Sequence, residues 1–350
     1  MGEGDDNMKL LILTQKVDIN DDVLGFMHGW IIEFAKHCEK ITVIALGVGK
    51  YDLPENVKVF SLGKEKGESK IKYLVNFYKY IWQERKNYDA VFVHMNKEYV
   101  LLGGILWKLW RKKVCLWYNH AKGNISSDIG GYLSDIIFYT SPFSYFSKNK
   151  KAKIMPVGIN TDIFFRDESV KKISNSILCL GRISPVKNVD TLIKAAKILK
   201  NKNKQFVINI IGSPTDDIYY SKLKKMVEDY GLSQEVNFRE GIANLKTPVE
   251  YNKNEIYINL TDSGSMDKTS YEAMACGVPT ILCNRSFEKI FPEEFLLNLM
   301  FKENDENDLA QKLAQALIIG DEFKIKYSVW SQKYVLENHS VKKLVEMIIN

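Results

Sequence analysis

The chain has 350 residues, 45% of them apolar and 26% charged, with a formal net charge of +6. That composition excludes a disordered polymer and leaves room for two domains of ordinary size, each with its own core. The positive excess is mild and reads as distributed, so it does not by itself argue for a nucleic-acid partner. Residues 1–7, rich in Gly and acid, read as a leader without a secretory pattern, ahead of a first strand beginning near Met8. Short continuous apolar runs at 10–14, 41–46, 57–61, 90–94, 114–118 and 136–140 predict strands. Longer runs at 24–38, 71–85 and 99–112 predict helices between them. Strands that are apolar throughout, rather than alternating, belong to a parallel sheet covered by helices on both faces; the fold class is α/β, doubly wound. The run at 100–110 is too short to cross a bilayer and is interrupted by Lys108.

A junction follows. Residues 154–164, Ile-Met-Pro-Val-Gly-Ile-Asn-Thr-Asp-Ile-Phe, join a strand end to a Pro-x-Gly turn and an aromatic anchor. The strand–helix rhythm then restarts. Strands are predicted at 177–180, 206–211, 236–238, 256–260 and 279–283. Helices are predicted at 189–199, 219–230, 247–252, 268–276, 306–318, 322–337 and 341–349. No internal repeat aligns, so the halves are two similar folds and not a duplicated sequence. The five cysteines are odd in number and widely spaced, without a C-x-x-C or a Cys/His pairing. They read as buried thiols of a reducing compartment, with no metal site.

The organising stretch is Gly264-Ser-Met-Asp-Lys-Thr-Ser-Tyr-Glu-Ala-Met-Ala-Cys-Gly-Val-Pro279, a small-residue loop between two strands that opens into a short helix. A loop of this kind at a strand's carboxyl end presents free N–H groups and a helix dipole to an anion. Glu272, one turn into the helix, stands between two readings: a ligand for a ribose diol, or only a favourable first-turn charge.

Ser270-Tyr-Glu-Ala-Met-Ala-Cys-Gly-Val-Pro279 resembles the LEAMACGxP signature of the retaining GT-B glycosyltransferases of family four, the group 1 glycosyltransferases. The resemblance implies two Rossmann-like domains facing a central cleft, and it makes Glu272 the ribose ligand. Relatives carry a second Glu eight residues earlier, against the donor sugar; here that position is Gly264, with Asp262 and Asp267 flanking it. Gly181-Arg-Ile-Ser-Pro-Val-Lys-Asn188 resembles the family's GRLxxxKG loop, which assigns Arg182 and Lys187 to the donor pyrophosphate. A guanidinium fork and a compact ammonium suit a departing diphosphate. Asn188 stands in place of the usual Gly and tolerates a left-handed backbone. Gly212 lies in a turn like the family's GxGP, and Val236-Asn-Phe-Arg-Glu-Gly241 is similar to a strand that ends near the base, at Gly241 and Ile242. The donor set implied is Gly181, Gly212, Gly241, Ile242, Gly264, Ser265, Met266, Asp267, Lys268, Thr269 and Glu272.

In the first half, His120 ends a predicted strand where relatives place a His beside the donor sugar, and is grouped with Arg182 and Lys187 as catalytic. His94, at another strand end, competes with it; the plainer reading of His94 is a structural residue capping the next helix. Gly25 and His28 occupy the region where relatives admit the acceptor, without the family's glycine pair. Asp21 or Asp22 reads as a helix N-cap. The aromatic and basic runs at 71–86 and 102–113 suit either sheet packing or an anionic membrane.

Gly47-Val-Gly-Lys50 lacks the length and the Ser or Thr of a P-loop, and no dinucleotide fingerprint follows the first strand. The resemblance implies a cytoplasmic, retaining, metal-independent transferase of polysaccharide or glycolipid biosynthesis. It would take a UDP- or GDP-sugar as donor, need no cofactor, and use a glycan or lipid-linked acceptor; separately from the resemblance, the aromatic and basic runs carry the expectation of peripheral association at the inner membrane face. Its expected domains are 1–156, 157–326 and a helical tail at 327–350, with 327–337 returning to the first domain. A nucleotide-sugar epimerase and a non-catalytic nucleotide- or glycan-binding protein are the alternatives.

Overall fold

The computed structural model describes residues 8–264 and 266–350; the expected leader at 1–7 lies outside them. The chain divides into two units. One runs to Gly158 and takes back Val341–Asn350; the other is Ile159–Ser340.

In the first unit the elements follow as β1 (Lys9–Val17), α1 (Phe26–Ala35), β2 (Lys40–Val48), β3 (Val57–Ser61), α2 (Lys70–Gln83), β4 (Ala90–His94), α3 (Lys97–Leu109), β5 (Lys113–Trp117), α4 (Ile125–Leu133), β6 (Ile136–Tyr139) and β7 (Ala152–Ile154). The seven strands are parallel in the order β3-β2-β1-β4-β5-β6-β7. Successive residues of a strand point to opposite faces, so β1 feeds two cores. Leu10 and Ile12 pack with Trp30, Ile31 and Phe34 of α1. Leu11 and Leu13 join Phe77 and Ile81 of α2 and Trp107 of α3 on the other side.

The second unit runs β8 (Ser176–Leu180), α5 (Val189–Asn201), β9 (Val207–Ile211), α6 (Asp217–Asp229), β10 (Val236–Arg239), α7 (Thr247–Lys253), β11 (Ile256–Asn259), α8 (Lys268–Ala275), β12 (Thr280–Leu282), α9 (Glu293–Leu299), α10 (Glu306–Ala316) and α11 (Asp321–His339). Its parallel sheet has the order β10-β9-β8-β11-β12. Numbered from its own first strand this is 3-2-1-4-5, the order of the first five strands of the other unit.

Three features differ from the sequence expectation, the first being helix α9, which falls where no element was predicted. Helix α4 was not expected, because Gly130 and Gly131 lower its intrinsic propensity; a capping box between Asn124 and Ser127 secures its start. The stretch 327–337 does not return to the first unit. It lies in α11, where Ser331 donates to the Met274 carbonyl of α8 at 2.9 Å. The chain turns extended at Ser340, and α12 (Val341–Ile349) places Leu344, Val345 and Ile348 in the first unit's core instead.

Candidate functional site

In the second unit β8 and β11 are neighbours whose onward connections run to opposite sides, toward β9 and toward β12. That is the switch point at which open α/β sheets bind ligands beyond their strand carboxyl ends. The loops at 181–188 and 260–267 both start there.

The first loop is stitched to the turn after β9. Ile183 N–H donates to the Ser213 carbonyl at 3.0 Å, and Thr215 N–H donates back to Ile183 at 3.0 Å. Gly212 makes this approach possible: a Cβ on it would sit 1.8 Å from the Gly181 carbonyl oxygen. Asn188 has the left-handed backbone expected of it, φ +47°, so the turn ahead of α5 survives without glycine. Its amide donates to the Leu260 carbonyl and to Asp262 Oδ1, each at 3.1 Å, tying the two loops together. Arg182 is exposed, and its side chain makes no hydrogen bond or ion pair among the described residues.

Lys187 and Asp267 meet as an ion pair, both mostly buried. Asp267 Oδ2 also accepts from Asn259 Nδ2 at 2.8 Å and Thr261 Oγ1 at 3.1 Å. Lys187 Nζ donates in addition to Thr261 Oγ1 at 3.1 Å. Burial pushes the Asp267 carboxyl up, but the Lys187 charge and these hydrogen bonds outweigh it and hold the group well below the usual carboxylate range. Asp267 is the N-cap residue of α8, yet its side chain makes no capping bond; it is turned to the lysine instead.

Glu272 lies one turn into α8, 2% exposed. Its Oε1 accepts from Asn244 Nδ2 at 3.0 Å and its Oε2 from Tyr251 OH at 2.9 Å. Burial raises its pKa; Lys268, one turn earlier on the same helix, and these two donors oppose the rise. Burial in turn lowers the Lys268 ammonium, against the pull of Glu272 and Asp267.

Gly264 is buried, with φ +142°, a backbone that a side chain adopts only under strain. The missing glutamate therefore has a local reason. Thr269 accepts from Tyr257 OH at 2.7 Å and Met266 Sδ from Tyr271 OH at 3.6 Å, so both are held from the sheet and helix behind them. Gly241 and Ile242 follow β10 and are half-buried. Ser265 lies outside the described residues. The second unit thus gathers Gly181, Arg182, Lys187, Gly212, Asp267 and Thr269 around one switch point, with Glu272 deeper in α8.

The first-unit candidates have different surroundings. His120 is exposed beyond β5, with its ring edge-on to Tyr118; partial desolvation and the Lys97 charge lower its pKa. His94 ends β4 among the rings of Phe26, Trp30 and Trp117. The α3 cap position is Asn96, so His94 is not the cap residue. His28 is buried on α1 and its Nε2 accepts the Asp52 N–H at 3.1 Å; burial lowers its pKa. Gly25 is the α1 cap position with ordinary right-handed backbone, and Asp21 Oδ1 caps the preceding turn through Val23 and Leu24 N–H.

Sequence reasoning missed Asn244, Tyr251, Asn259 and Thr261, the residues that hold Glu272 and Asp267. A polar Asn259 closing an otherwise apolar strand was the available signal.

The model of the family described as "Glycosyl transferases group 1" matches residues 160–343, more than half of the chain. The chain belongs to the group 1 glycosyl transferases. Among curated members, a GDP-mannose-dependent alpha-(1-6)-phosphatidylinositol monomannoside mannosyltransferase of Mycolicibacterium smegmatis is 24% identical over 170 residues, 42% of this chain and 44% of the relative. An alpha-monoglucosyldiacylglycerol synthase of Streptococcus pneumoniae is 23% identical over 205 residues, 55% of this chain and 45% of the relative. The chain therefore spans less than half the length of these relatives. Over its whole length it superposes on Anabaena HepE, solved with UDP and glucose, with a TM-score of 0.77 at 14% identity, covering 98% of each chain. The group 1 chain accordingly has the GT-B fold that its motifs implied.

Proposed function

We propose that this chain transfers a sugar from a nucleoside-diphosphate sugar to an acceptor hydroxyl, with retention and without a metal. The observation that carries the reading is the switch-point constellation. Glu272 is buried and held on both oxygens, at the place where the family motif implies a ribose ligand. Arg182, unpaired among the described residues, the Lys187 of the Lys187–Asp267 pair and the α8 N-terminus lie in the same switch-point loops. The glycosidic bond between the sugar's anomeric carbon and the diphosphate oxygen breaks, and the acceptor oxygen bonds to that carbon on the same face. The departing phosphate oxygen takes the acceptor proton. Arg182 and Lys187 offset the charge that develops on the leaving group. The names of the GDP-mannose-dependent mannosyltransferase and the alpha-monoglucosyldiacylglycerol synthase, with HepE solved with UDP, support a GDP- or UDP-linked donor and a lipid or glycolipid acceptor.

Calorimetric titration with UDP, GDP and ADP, followed by donor hydrolysis with the matching sugar, tests the reading. Base-selective binding with slow sugar release is expected. In Glu272→Ala the affinity should fall by about 1–3 kcal/mol, because a charged acceptor for the ribose is lost. Unchanged affinity in a folded variant removes Glu272 from the site. Gly264 favours one second reading, a protein that binds the nucleotide without turning it over; binding with no hydrolysis of any donor and no transfer to a diacylglycerol acceptor is its outcome.

A further inference from the structure

The outer surface of α2, α3 and α4 in the first unit is not explained by nucleotide chemistry. Helices α2 and α3 bury one apolar face in the unit, α4 buries Ser127, Gly130 and Gly131, and all three turn an apolar stripe to solvent. On α2 the stripe is Ile71, Val75, Tyr78 and Trp82, at helical spacing, with Ile71 76% exposed. On α3 it is Leu102, Ile105 and Leu109, the last 73% exposed. On α4 it is Ile125, Ile129 and Tyr132, with Ile125 79% exposed.

The stripes are continuous. Tyr78 OH donates to the Leu102 carbonyl at 3.1 Å, and the Trp82 and Trp110 rings meet at 5.7 Å, which joins α2 to the α3 end. Lys108 Nζ lies 4.9 Å from the Tyr132 ring centre and donates to the Tyr132 carbonyl, which joins α3 to α4. Scattered exposed apolar residues need no explanation; a joined patch of large ones marks an interaction surface.

Charge decides the partner. Residues 70–133 hold eleven Lys and Arg against four Asp and Glu, a net +7, so this stretch carries more than the whole chain's net charge of +6. The excess is not distributed, contrary to the composition reading. Arg85 lies over the Trp82 ring at 4.5 Å, its stem along apolar surface and its charge at the rim. A second copy of this chain would bring the same positive charge against itself. An apolar face rimmed by Lys and Arg fits a layer of acyl chains beneath anionic headgroups. Among the described residues no helix is long and apolar enough to cross a membrane.

We propose that the α2–α4 face seats the protein on an anionic bilayer, with the three stripes entering the headgroup region and the surrounding cations pairing with lipid phosphates. The proposal stands independently of the transfer reaction, since the surface meets lipid whether or not sugar moves. Co-sedimentation of the full chain with vesicles tests it. Binding is expected to vesicles containing phosphatidylglycerol, weakened by salt, and not to pure phosphatidylcholine. The exposed triple variant Ile71→Ser, Ile105→Ser, Ile129→Ser should lose about tenfold in vesicle affinity. The variant Lys72→Gln, Lys79→Gln, Arg111→Gln should lose its preference for phosphatidylglycerol. Both should bind nucleotide in calorimetry as the parent does, which separates this surface from the sugar-nucleotide site and shows that the variants are folded. Absence of vesicle binding by the parent, equal binding to neutral vesicles, or a dimer in sedimentation that the Ser variant dissolves would overturn it.

Discussion

Asp267 and Glu272 sit five residues apart on one short helix and have opposite electrostatic situations. Asp267 is held charged by Lys187, Asn259 and Thr261, so its carboxylate is a stabilising element of the two loops. Glu272 is raised by burial against the Lys268 charge and the Asn244 and Tyr251 donors, and the hydroxyls of a ribose diol would add to those donors. Substitution separates the two roles. Asp267→Asn leaves Lys187 in a mostly buried cluster without its anion, and should lower stability to urea by about 1–3 kcal/mol; the residual exposure of both side chains keeps the loss below that of a fully buried pair. Nucleotide affinity in Asp267→Asn should not fall in parallel, because the ammonium proposed to meet the diphosphate is freed of its carboxylate. A variant that keeps its urea midpoint would show that Thr261 Oγ1 and the introduced amide oxygen suffice to hold Lys187.

Among the elements, α12 is the one whose position in sequence says least about its place in the fold. Leu344 is fully buried in the first unit, and its Cδ2 lies 2.4 Å from where a Cβ on Gly158 would be. Gly158 has φ +76°, and its carbonyl accepts from Trp30 Nε1 at 2.8 Å. A close approach of helix, glycine and indole leaves little room for relaxation, so Leu344→Ala should cost the first unit about 2–5 kcal/mol. Nucleotide binding by the second unit should persist in calorimetry at temperatures where the first unit's tryptophan fluorescence has already changed; simultaneous loss of both signals would show that the units unfold as one.

The case also shows what a sequence can carry. Strands such as 41–46 and 256–260 were legible because burial on both sheet faces makes them apolar throughout, and the loops at 181–188 and 264–279 were legible because their Gly and charged residues obey a fixed spacing. Helix α4 was hidden by its two glycines, and the assignment of 341–349 to the first unit depends on packing that its own residues do not encode. The contacts of Lys187 with Asp267, and of Glu272 with Asn244 and Tyr251, join residues 80, 28 and 21 positions apart. No local pattern reports such pairings.

For the whole molecule the buried and paired acids fix how stability responds to acid. Burial pushes Glu250 and Glu84 upward, yet hydrogen bonds and charge from Arg239 and from Lys58 with Asn87 bring both below their ordinary 4.5. Asp267 is likewise held below its ordinary 3.8. His28 lies below its ordinary 6.5 because burial disfavours the imidazolium. In each case the folded pKa is the lower one, so the unfolded chain binds more protons in the window between the two values. Stability from these groups is then complete above the unfolded pKa and is lost as pH falls through the folded one. Urea midpoints measured from about pH 8 to about pH 3 are expected to fall in two stages: a first in which Lys268, His28 and His120, all lowered in the fold, take up protons, and a second below the ordinary carboxylate values. Glu272 has the opposite sign, since its folded pKa is the higher one; it favours the folded state at acid pH and partly masks the start of the second step. His28→Gln, which retains an acceptor for the Asp52 N–H, should make the first decline shallower and leave the second unchanged. A parent protein with a constant midpoint down to about pH 5 would mean that water reaches His28 and that its burial does not govern the acid response.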